Sequence, residues 1–153
     1  MGPAPLKSAN ELRTLCARDV AAPVVCVKPA TPLSEVVDLM EKRRFFHFPV
    51  VEGERLVGLL SERALRDAMP SVLSMKDPEA RRRFLENTRV SEVASRNPPT
   101  CTPDAPLSGV ITTMRTFRLG ALPVVDGKAV VGLITADDLV DLLERLLRAA
   151  RSW

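Results

Sequence analysis

An internal repeat is the feature that most constrains the fold of this chain. Residues 29–65 and 103–139 align at a constant offset of 74 residues, and 15 of the 37 aligned positions are identical. The identities include the pairs Pro49/Pro123 and Gly58/Gly132. Neither copy of such a unit can bury its apolar face alone, so the repeat predicts two similar units that pack together.

Each copy contains the same predicted elements in the same order. The first copy has a strand at 24–27, an N-cap and first helical position at Thr31 and Pro32, a hairpin of strands 48–51 and 56–60, and a helix that Ser61 caps. The second copy has a strand near Cys101, a helix from Pro106, a hairpin turning at Asp126 and Gly127, and a long final helix.

The predicted domain organisation follows from these elements. The chain is divided into an N-terminal arm at 1–15, a first repeat at 16–70, a connector at 71–88, and a second repeat with the long helix at 89–153.

Composition excludes several classes of protein. Hydrophobic residues make up 46% and charged residues 27% of the chain, which is typical of a globular protein rather than a disordered one. Three cysteines without a CxxC motif and a single histidine argue against a metal site or a disulfide framework. The basic triplets 42–44 and 81–83 come without an aromatic stacking platform, so nucleic-acid binding is not expected.

Targeting signals are not evident in the sequence. The first residues have no charged segment followed by an apolar core, and no apolar run approaches the ~20 residues of a membrane span. We therefore expect a cytoplasmic protein.

The stretch 132–138 ends an apolar strand and opens the final helix. The apolar run that leads into and through this stretch predicts a strand that is buried on both faces; its residues are Val130, Val131, Leu133 and Ile134. Thr135 with Asp138 three residues later forms the pattern of a capping box, which by itself requires no ligand. The helix then carries apolar residues at helical spacing, namely Leu139, Leu142, Leu143, Leu146 and Leu147.

The tandem arrangement resembles the cystathionine-beta-synthase (CBS) domain pair. The resemblance rests on Pro-Val-Val before a Gly turn, followed by Gly-apolar-apolar-Ser/Thr, in both copies: 48–51 with 58–61, and 122–125 with 132–138. It implies an α+β fold of two β-α-β-β-α repeats packed as a pseudo-two-fold pair. It also implies a regulatory module that binds an adenosine-containing ligand in the clefts between the repeats and carries no catalytic residue.

The site residues expected from this resemblance come from both repeats. In the family, the last Asp of the motif binds the ribose hydroxyls, and the Ser or Thr and the helix start approach the phosphate. The predicted ligand contacts are Thr135, Asp137 and Asp138, completed by Val24, Val25, Phe45, Phe46 and His47. His47 is either a phosphate contact or a hydrogen-bonded structural residue. In the opposite cleft Ala64 replaces the ribose-binding Asp, so one site is expected to be competent and the other impaired.

The expected ligand is AMP, ADP or ATP, with S-adenosylmethionine as a related possibility, and no catalytic cofactor is expected. A homodimer that acts on an unknown protein target is the expected assembly. The alternative is a structural module that dimerises through the long final helix and retains a vestigial site. Because the repeat with Ala64 keeps its capping Ser61, the helix does not require an acidic residue there, and this favours the ligand role of Asp138.

Overall fold

The computed structural model describes residues 9–70 and 77–151. Residues 1–8 of the predicted arm and 71–76 of the predicted connector lie outside the described residues. The helices are α1 (Ala9–Thr14), α2 (Leu33–Arg43), α3 (Glu62–Ala68), α4 (Pro78–Asn87), α5 (Leu107–Thr116) and α6 (Ala136–Ala150). The strands are β1 (His47–Glu52), β2 (Arg55–Ser61), β3 (Ser95–Arg96), β4 (Ala121–Asp126) and β5 (Ala129–Thr135). This mixture confirms the predicted α+β class.

The chain forms two packing units, and one of them is discontinuous in sequence. The continuous unit spans residues 25–98, and the discontinuous unit combines the chain up to residue 24 with the chain from residue 99 onward. The packing units therefore differ from the boundaries drawn along the sequence at 16 and 89. Residues 16–24 pack with the second repeat, and residues 89–98 pack with the first.

The hairpin of the continuous unit joins β1 and β2 in antiparallel register from His47↔Ser61 to Glu52↔Arg55. A bulge shifts the register between Val50 and Val51. β3 adds to the outer edge of β2 through two residue pairs. The core beneath this sheet consists of Val27, Leu33, Val36, Phe48, Val50, Leu60, Leu65, Leu85 and Val90.

The hairpin of the discontinuous unit repeats this design. β4 and β5 pair in antiparallel register with a bulge between Val124 and Val125, the positions that match Val50 and Val51. The turn residue Gly127 has a φ of 62°, which a glycine adopts without strain, and this confirms the predicted turn. The core of this unit consists of Ala17, Leu107, Val110, Met114, Leu122, Val124, Ile134 and Leu142.

The predicted first strand of each repeat is much shorter than expected. Of residues 24–27 only Val27 forms a β-bridge, to Val50, and near residue 100 only Cys101 does so, to Val124. Each bridge uses the carbonyl of a strand proline: Val27 N–H donates to Pro49 O, and Cys101 N–H donates to Pro123 O. The hairpins donate back through Val51 N–H to Val27 O and through Val125 N–H to Cys101 O, so each segment is joined to its hairpin by a single bridge.

Two further local predictions are wrong. Pro32 is the N-cap of α2, and the Thr31 hydroxyl instead accepts a hydrogen bond from Lys28 N–H at 3.0 Å. Val131 was expected in a strand buried on both faces, but its side chain is 52% exposed. Val131 is the residue that the bulge leaves unpaired, since Val124 pairs with Gly132 and Val125 with Val130. An apolar residue in a bulge does not have to follow the burial of the ladder on either side of it.

Candidate functional site

The N-terminus of α6 is fixed by a reciprocal capping box. Thr135 Oγ1 accepts from Asp138 N–H at 3.2 Å, while Asp138 Oδ2 accepts from Thr135 N–H at 2.8 Å. The Thr135 hydroxyl also donates to Asp138 Oδ2 at 2.9 Å. The capping box predicted from the sequence is therefore confirmed, and it orients the Asp138 carboxylate.

This arrangement determines what each side chain can offer to a ligand. The proton of the Thr135 hydroxyl is already donated to Asp138, so Thr135 has only acceptor capacity left. A carboxylate has about four lone-pair sites, so the two bonds from Thr135 leave acceptor capacity on Asp138 for further donors. Asp138 is partly buried, whereas Asp137 next to it is exposed. The carboxylate of Asp138 is suited to bind a group that carries hydroxyl donors.

The matching position in the continuous unit lacks this carboxylate. Ser61 Oγ accepts from Ala64 N–H at 3.0 Å, which confirms the predicted cap of α3. Ala64 has no side-chain oxygen that could return a bond. Both helices therefore have a hydroxyl N-cap, but only α6 presents a carboxylate in its first turn at the N3 position.

The segment leading into β1 lies at the same end of its hairpin as the Ser61 cap. His47 is opposite Ser61 in the strand register, and Phe46 O accepts from Glu62 N–H at 2.8 Å. Phe45 packs against the core of the continuous unit, and Phe46 is 47% exposed. In the discontinuous unit Gly120 O accepts the matching bond from Ala136 N–H at 3.0 Å.

The predicted site residues divide between the two units. Thr135, Asp137, Asp138 and Val24 belong to the discontinuous unit, and Val25, Phe45, Phe46 and His47 belong to the continuous unit. Within one unit, the structure brings Thr135 and Asp138 into direct contact. Val24 and Val25 are both partly buried, and Val25 packs against its own core. The combination of the eight residues into one site stays a prediction.

The sequence reasoning missed a segment that supports the hairpin ends. Ala22 N–H donates to Leu133 O, and Leu133 N–H donates to Ala22 O, so residues before 24 extend the edge of β5. A Cβ on Gly132 would lie 2.9 Å from the Ala21 side chain, which explains the glycine at this position of the motif. Gly58 has the same role, since a Cβ there would lie 2.7 Å from Ser95 O.

Two carboxylates that cap single turns were also missed. Asp19 accepts from Cys16 N–H at 2.8 Å, and Glu92 accepts from Arg89 N–H at 2.6 Å. These two turns are 73 residues apart, whereas the repeats were aligned at an offset of 74. Extending the comparison toward the N-terminus with a one-residue shift would have revealed them.

Burial and hydrogen bonding shift the pKa of Cys26, Cys101 and Asp104. Partial burial raises the pKa of the Cys26 and Cys101 thiols above the ordinary value, which keeps both protonated and weakly nucleophilic at neutral pH. A hydrogen bond from Thr102 lowers the pKa of the exposed Asp104 carboxyl. No group of three His, Cys, Asp or Glu side chains suited to a metal ion occurs within residues 9–70 and 77–151.

In the described part of the chain, no helix combines the length and apolar character needed to cross a bilayer.

Known proteins resemble this chain over most of its length. A CBS domain-containing protein of Dictyostelium discoideum is 31% identical over 119 residues, which cover 76% of this chain and 82% of that protein. The inosine-5'-monophosphate dehydrogenase of Thermoplasma acidophilum is 27% identical over 136 residues, but the matched region, 88% of this chain, is only 24% of that enzyme. Relatives named as enzymes thus contain a region like this chain only as a part.

Solved structures show the same fold. The CBS domain of a membrane protein from Sphaerobacter thermophilus has a TM-score of 0.73 and 27% identity, covering 88% of this chain and 91% of that one. The CBS domain pair of protein MJ0100, solved with 5'-methylthioadenosine and S-adenosyl-L-methionine, has a TM-score of 0.70 and 22% identity, covering 86% of this chain and 97% of that one.

The family model for the CBS domain matches the chain twice, at residues 17–71 and 90–145. These two matches correspond to the two repeats recognised in the sequence, and each of them contains one of the two bulged hairpins. The chain belongs to the CBS domain family, as a tandem CBS domain pair.

Proposed function

We propose that this protein is a regulatory, non-catalytic module that binds an adenosine-containing ligand through Asp138. The observation that carries the proposal is the capping box of α6, in which Thr135 fixes the carboxylate and leaves it acceptor capacity. A carboxylate held in this way can accept from two neighbouring hydroxyls, as the ribose of adenosine provides. The adenosine ligands of the MJ0100 domain pair support this class of ligand.

The role of Thr135 in the proposal differs from a direct phosphate contact. Since its hydroxyl proton is donated to Asp138, Thr135 positions the carboxylate, and a phosphate would depend on backbone N–H groups at the start of α6. The remaining predicted contacts, which would line the base and the phosphate side, are Val24, Val25, Phe45, Phe46 and His47.

Charge at the start of α6 bears on the choice of ligand. Asp137 and Asp138 place two carboxylates in the first turn, where they offset the positive end of the helix dipole. Each added phosphate on the ligand increases the repulsion from these carboxylates. We therefore expect AMP to bind more tightly than ADP, and ADP more tightly than ATP, with the cationic S-adenosylmethionine as the main competitor of AMP.

Calorimetric titration of the full chain with AMP, ADP, ATP, S-adenosylmethionine and 5'-methylthioadenosine tests the proposal. The informative variant is Asp138→Asn, because asparagine retains one oxygen for the cap but replaces the other by a donor. Loss of hydrogen bonds to a charged group should weaken binding about 10- to 100-fold. Asp141→Ala is the matched control on the same helix and should leave binding unchanged. Equal affinity of Asp138→Asn and the unmodified protein would refute the ribose role of Asp138.

Ala64→Asp provides a test in the opposite direction. This substitution gives α3 the same N3 carboxylate as α6, opposite the hydroxyl of Ser61. A second binding event per chain is the expected result, seen as a change in the calorimetric stoichiometry. If no ligand in the series binds either protein, the regulatory proposal fails.

A second candidate function is a dimerisation module. It is favoured by three exposed apolar side chains of α6, Val140, Leu143 and Leu147. Light scattering of the full chain distinguishes the states, and a monomer at the highest soluble concentration would remove this candidate.

A further inference from the structure

The two basic triplets of the sequence, 42–44 and 81–83, lie on helices that pack against each other. The first triplet forms the last residues and the C-cap of α2, and the second lies within α4 of the same continuous unit. Leu33 N–H at the start of α2 donates to the carbonyl oxygen of Thr88, which follows α4. The two helices therefore run antiparallel from this bond, and the triplets lie on the same half of the pair. Here that half is called the basic helix end.

The apolar sides of both helices are used by the core of the unit. Val36 of α2 and Leu85 of α4 are buried in one cluster, and Met40 and Phe84 pack against it. All six residues of the triplets are exposed. The packing thus brings two clusters of positive charge, which are distant in sequence, into one solvent-facing region.

Most of the cations at the basic helix end are free to bind a partner. Arg82 is the exception, since its guanidinium group lies 3.2 Å from Glu79 and 3.9 Å from Glu86. Within residues 9–70 and 77–151, the other five residues of the triplets form no ion pair. These five side chains can therefore accept new carboxylate partners without breaking existing ion pairs.

The second repeat shows that the first helix does not need its triplet in order to fold. At the offset of 74, the residues Thr116, Phe117 and Arg118 match the triplet 42–44. Helix α5 thus ends in the same way as α2 with one basic residue in place of three. The extra charges at the end of α2 do not contribute to a requirement of the repeated fold.

The second triplet is also specific to one unit. Leu107 N–H donates to Leu15 O as Leu33 N–H donates to Thr88 O, which makes α1 the counterpart of α4. At the offset of 73 that relates these segments, Ala9 and Asn10 match the last two arginines of 81–83. Like charges close together repel each other, so neither triplet is explained by stability.

The charge pattern indicates the chemistry of the partner. Five of the six triplet residues are arginines, whose planar guanidinium groups bind carboxylates and phosphates through paired hydrogen bonds. Acidic residues are interspersed with them, namely Glu41, Asp77 and Glu79. A nucleic-acid backbone or an anionic bilayer is negative throughout and would be repelled at these positions. A protein segment can place carboxylates opposite the arginines alone, which favours a protein partner.

We propose that the basic helix end is a docking surface for an acidic segment of a partner protein. The surface lies wholly within the continuous unit, so the inference does not depend on ligand binding at Asp138. Because exposed ion pairs are screened by salt, the affinity should be modest and should fall as the salt concentration rises.

A labelled peptide tests the surface. A fluorescein-labelled decaglutamate peptide is titrated with the full chain at about 50 mM and about 150 mM salt, and binding is followed by fluorescence anisotropy. Each exposed ion pair contributes about two- to fivefold to affinity, so a triple variant at the basic helix end should bind about tenfold more weakly or worse. This variant combines Lys42→Gln, Arg43→Gln and Arg83→Gln.

The matched control removes the same charge from other exposed positions of the same unit. It combines Lys28→Gln, Arg55→Gln and Arg96→Gln, and it should bind the peptide within about twofold of the unmodified chain. An equal loss in the two triple variants would mean that only net charge matters and would overturn the proposal. Failure of the unmodified chain to bind the peptide at the lower salt concentration would also overturn it.

Single substitutions test whether the two helices share the surface. Arg43→Gln on α2 and Arg83→Gln on α4 should each weaken peptide binding about two- to fivefold. A loss confined to one of the two variants would overturn the shared surface.

Other anionic partners are tested with the same variants. A single-stranded RNA oligonucleotide and vesicles of phosphatidylserine and phosphatidylcholine replace the peptide. If either of them binds the unmodified chain more tightly than the peptide and loses this binding in the basic-end triple variant, the assignment to a protein partner is wrong. The same triple variant should bind the adenosine ligands as the unmodified chain does, so this proposal and the proposed function can fail separately.

Discussion

The two repeats build the same backbone and differ at two places on the helix that follows it. Both hairpins contain the bulge after a Pro-Val pair, and both end in a hydroxyl that caps the next helix. In the second repeat that helix begins with the Asp138 carboxylate and continues to Ala150, whereas in the first it begins with Ala64 at the same position and ends at Ala68. The shared features stabilise the fold, and the differing features are those to which we assign ligand binding and self-association.

The largest effect is expected from matched truncations in the two cores. Leu60 and Ile134 occupy equivalent strand positions, and both side chains are fully buried. Leu60→Ala and Ile134→Ala should each lower the free energy of unfolding by about 2 to 5 kcal/mol, since each leaves a cavity in a packed core. Urea denaturation followed by circular dichroism measures the change, and Val131→Ala at an exposed position serves as the control. Strongly unequal losses would show that the two units do not contribute equally to stability.

A smaller effect is expected at the two glycines where an edge segment crosses the hairpin. Gly58→Ala and Gly132→Ala should each destabilise by about 1 to 3 kcal/mol, because the added methyl group meets atoms at less than 3.0 Å. The effect should be larger at Gly58, where the obstacle is the backbone oxygen of Ser95, than at Gly132, where it is the Ala21 side chain. Gly109 in α5, where a Cβ would meet nothing within 4 Å, is the contrasting position. Gly109→Ala should leave the free energy of unfolding unchanged or raise it.

The smallest effect concerns the arginines that end the first helix of each repeat. Arg44 and Arg118 have φ angles of 54° and 53°, a left-handed conformation that favours glycine. Arg44→Gly and Arg118→Gly should each stabilise the protein by up to about 1 kcal/mol, the relief of backbone strain exceeding the entropic cost of glycine. The control is Arg43→Gly at the last residue of α2, which should lower the free energy of unfolding by up to about 1 kcal/mol. A loss of stability in Arg44→Gly would mean that the arginine side chain makes a contact that outweighs the strain.

Several parts of the structure could be predicted because their causes are local in sequence. The Asp126-Gly127 turn, the capping hydroxyls of Ser61 and Thr135, and the reciprocal bond to Asp138 each depend on residues within a few positions of one another. The tandem repeat could be predicted for the same reason, since the same local pattern occurs twice, and its resemblance to the CBS domain pair implied the fold.

Other parts were missed because neighbours in space determine them. The single β-bridges at Val27 and Cys101 replaced the predicted strands, since each depends on the available hydrogen-bonding groups of a distant hairpin. The exposure of Val131 could not be read from the sequence, because an apolar strand residue is buried only if another layer covers it. The spacing of the apolar residues in α6 likewise predicted a single apolar face without showing which of them the core would cover.

The sequence by itself determined that the chain has two related units, where their hairpins turn, and that a carboxylate is present at one helix start and absent at the other. The tertiary structure decided which segments complete each unit: residues before 24 complete the second hairpin, and Ser95 and Arg96 complete the first. It also decided that Val140, Leu143 and Leu147 remain exposed. The physical reason is that caps and turns are satisfied by groups a few residues apart, whereas edge pairing and burial require partners that only the folded chain brings together.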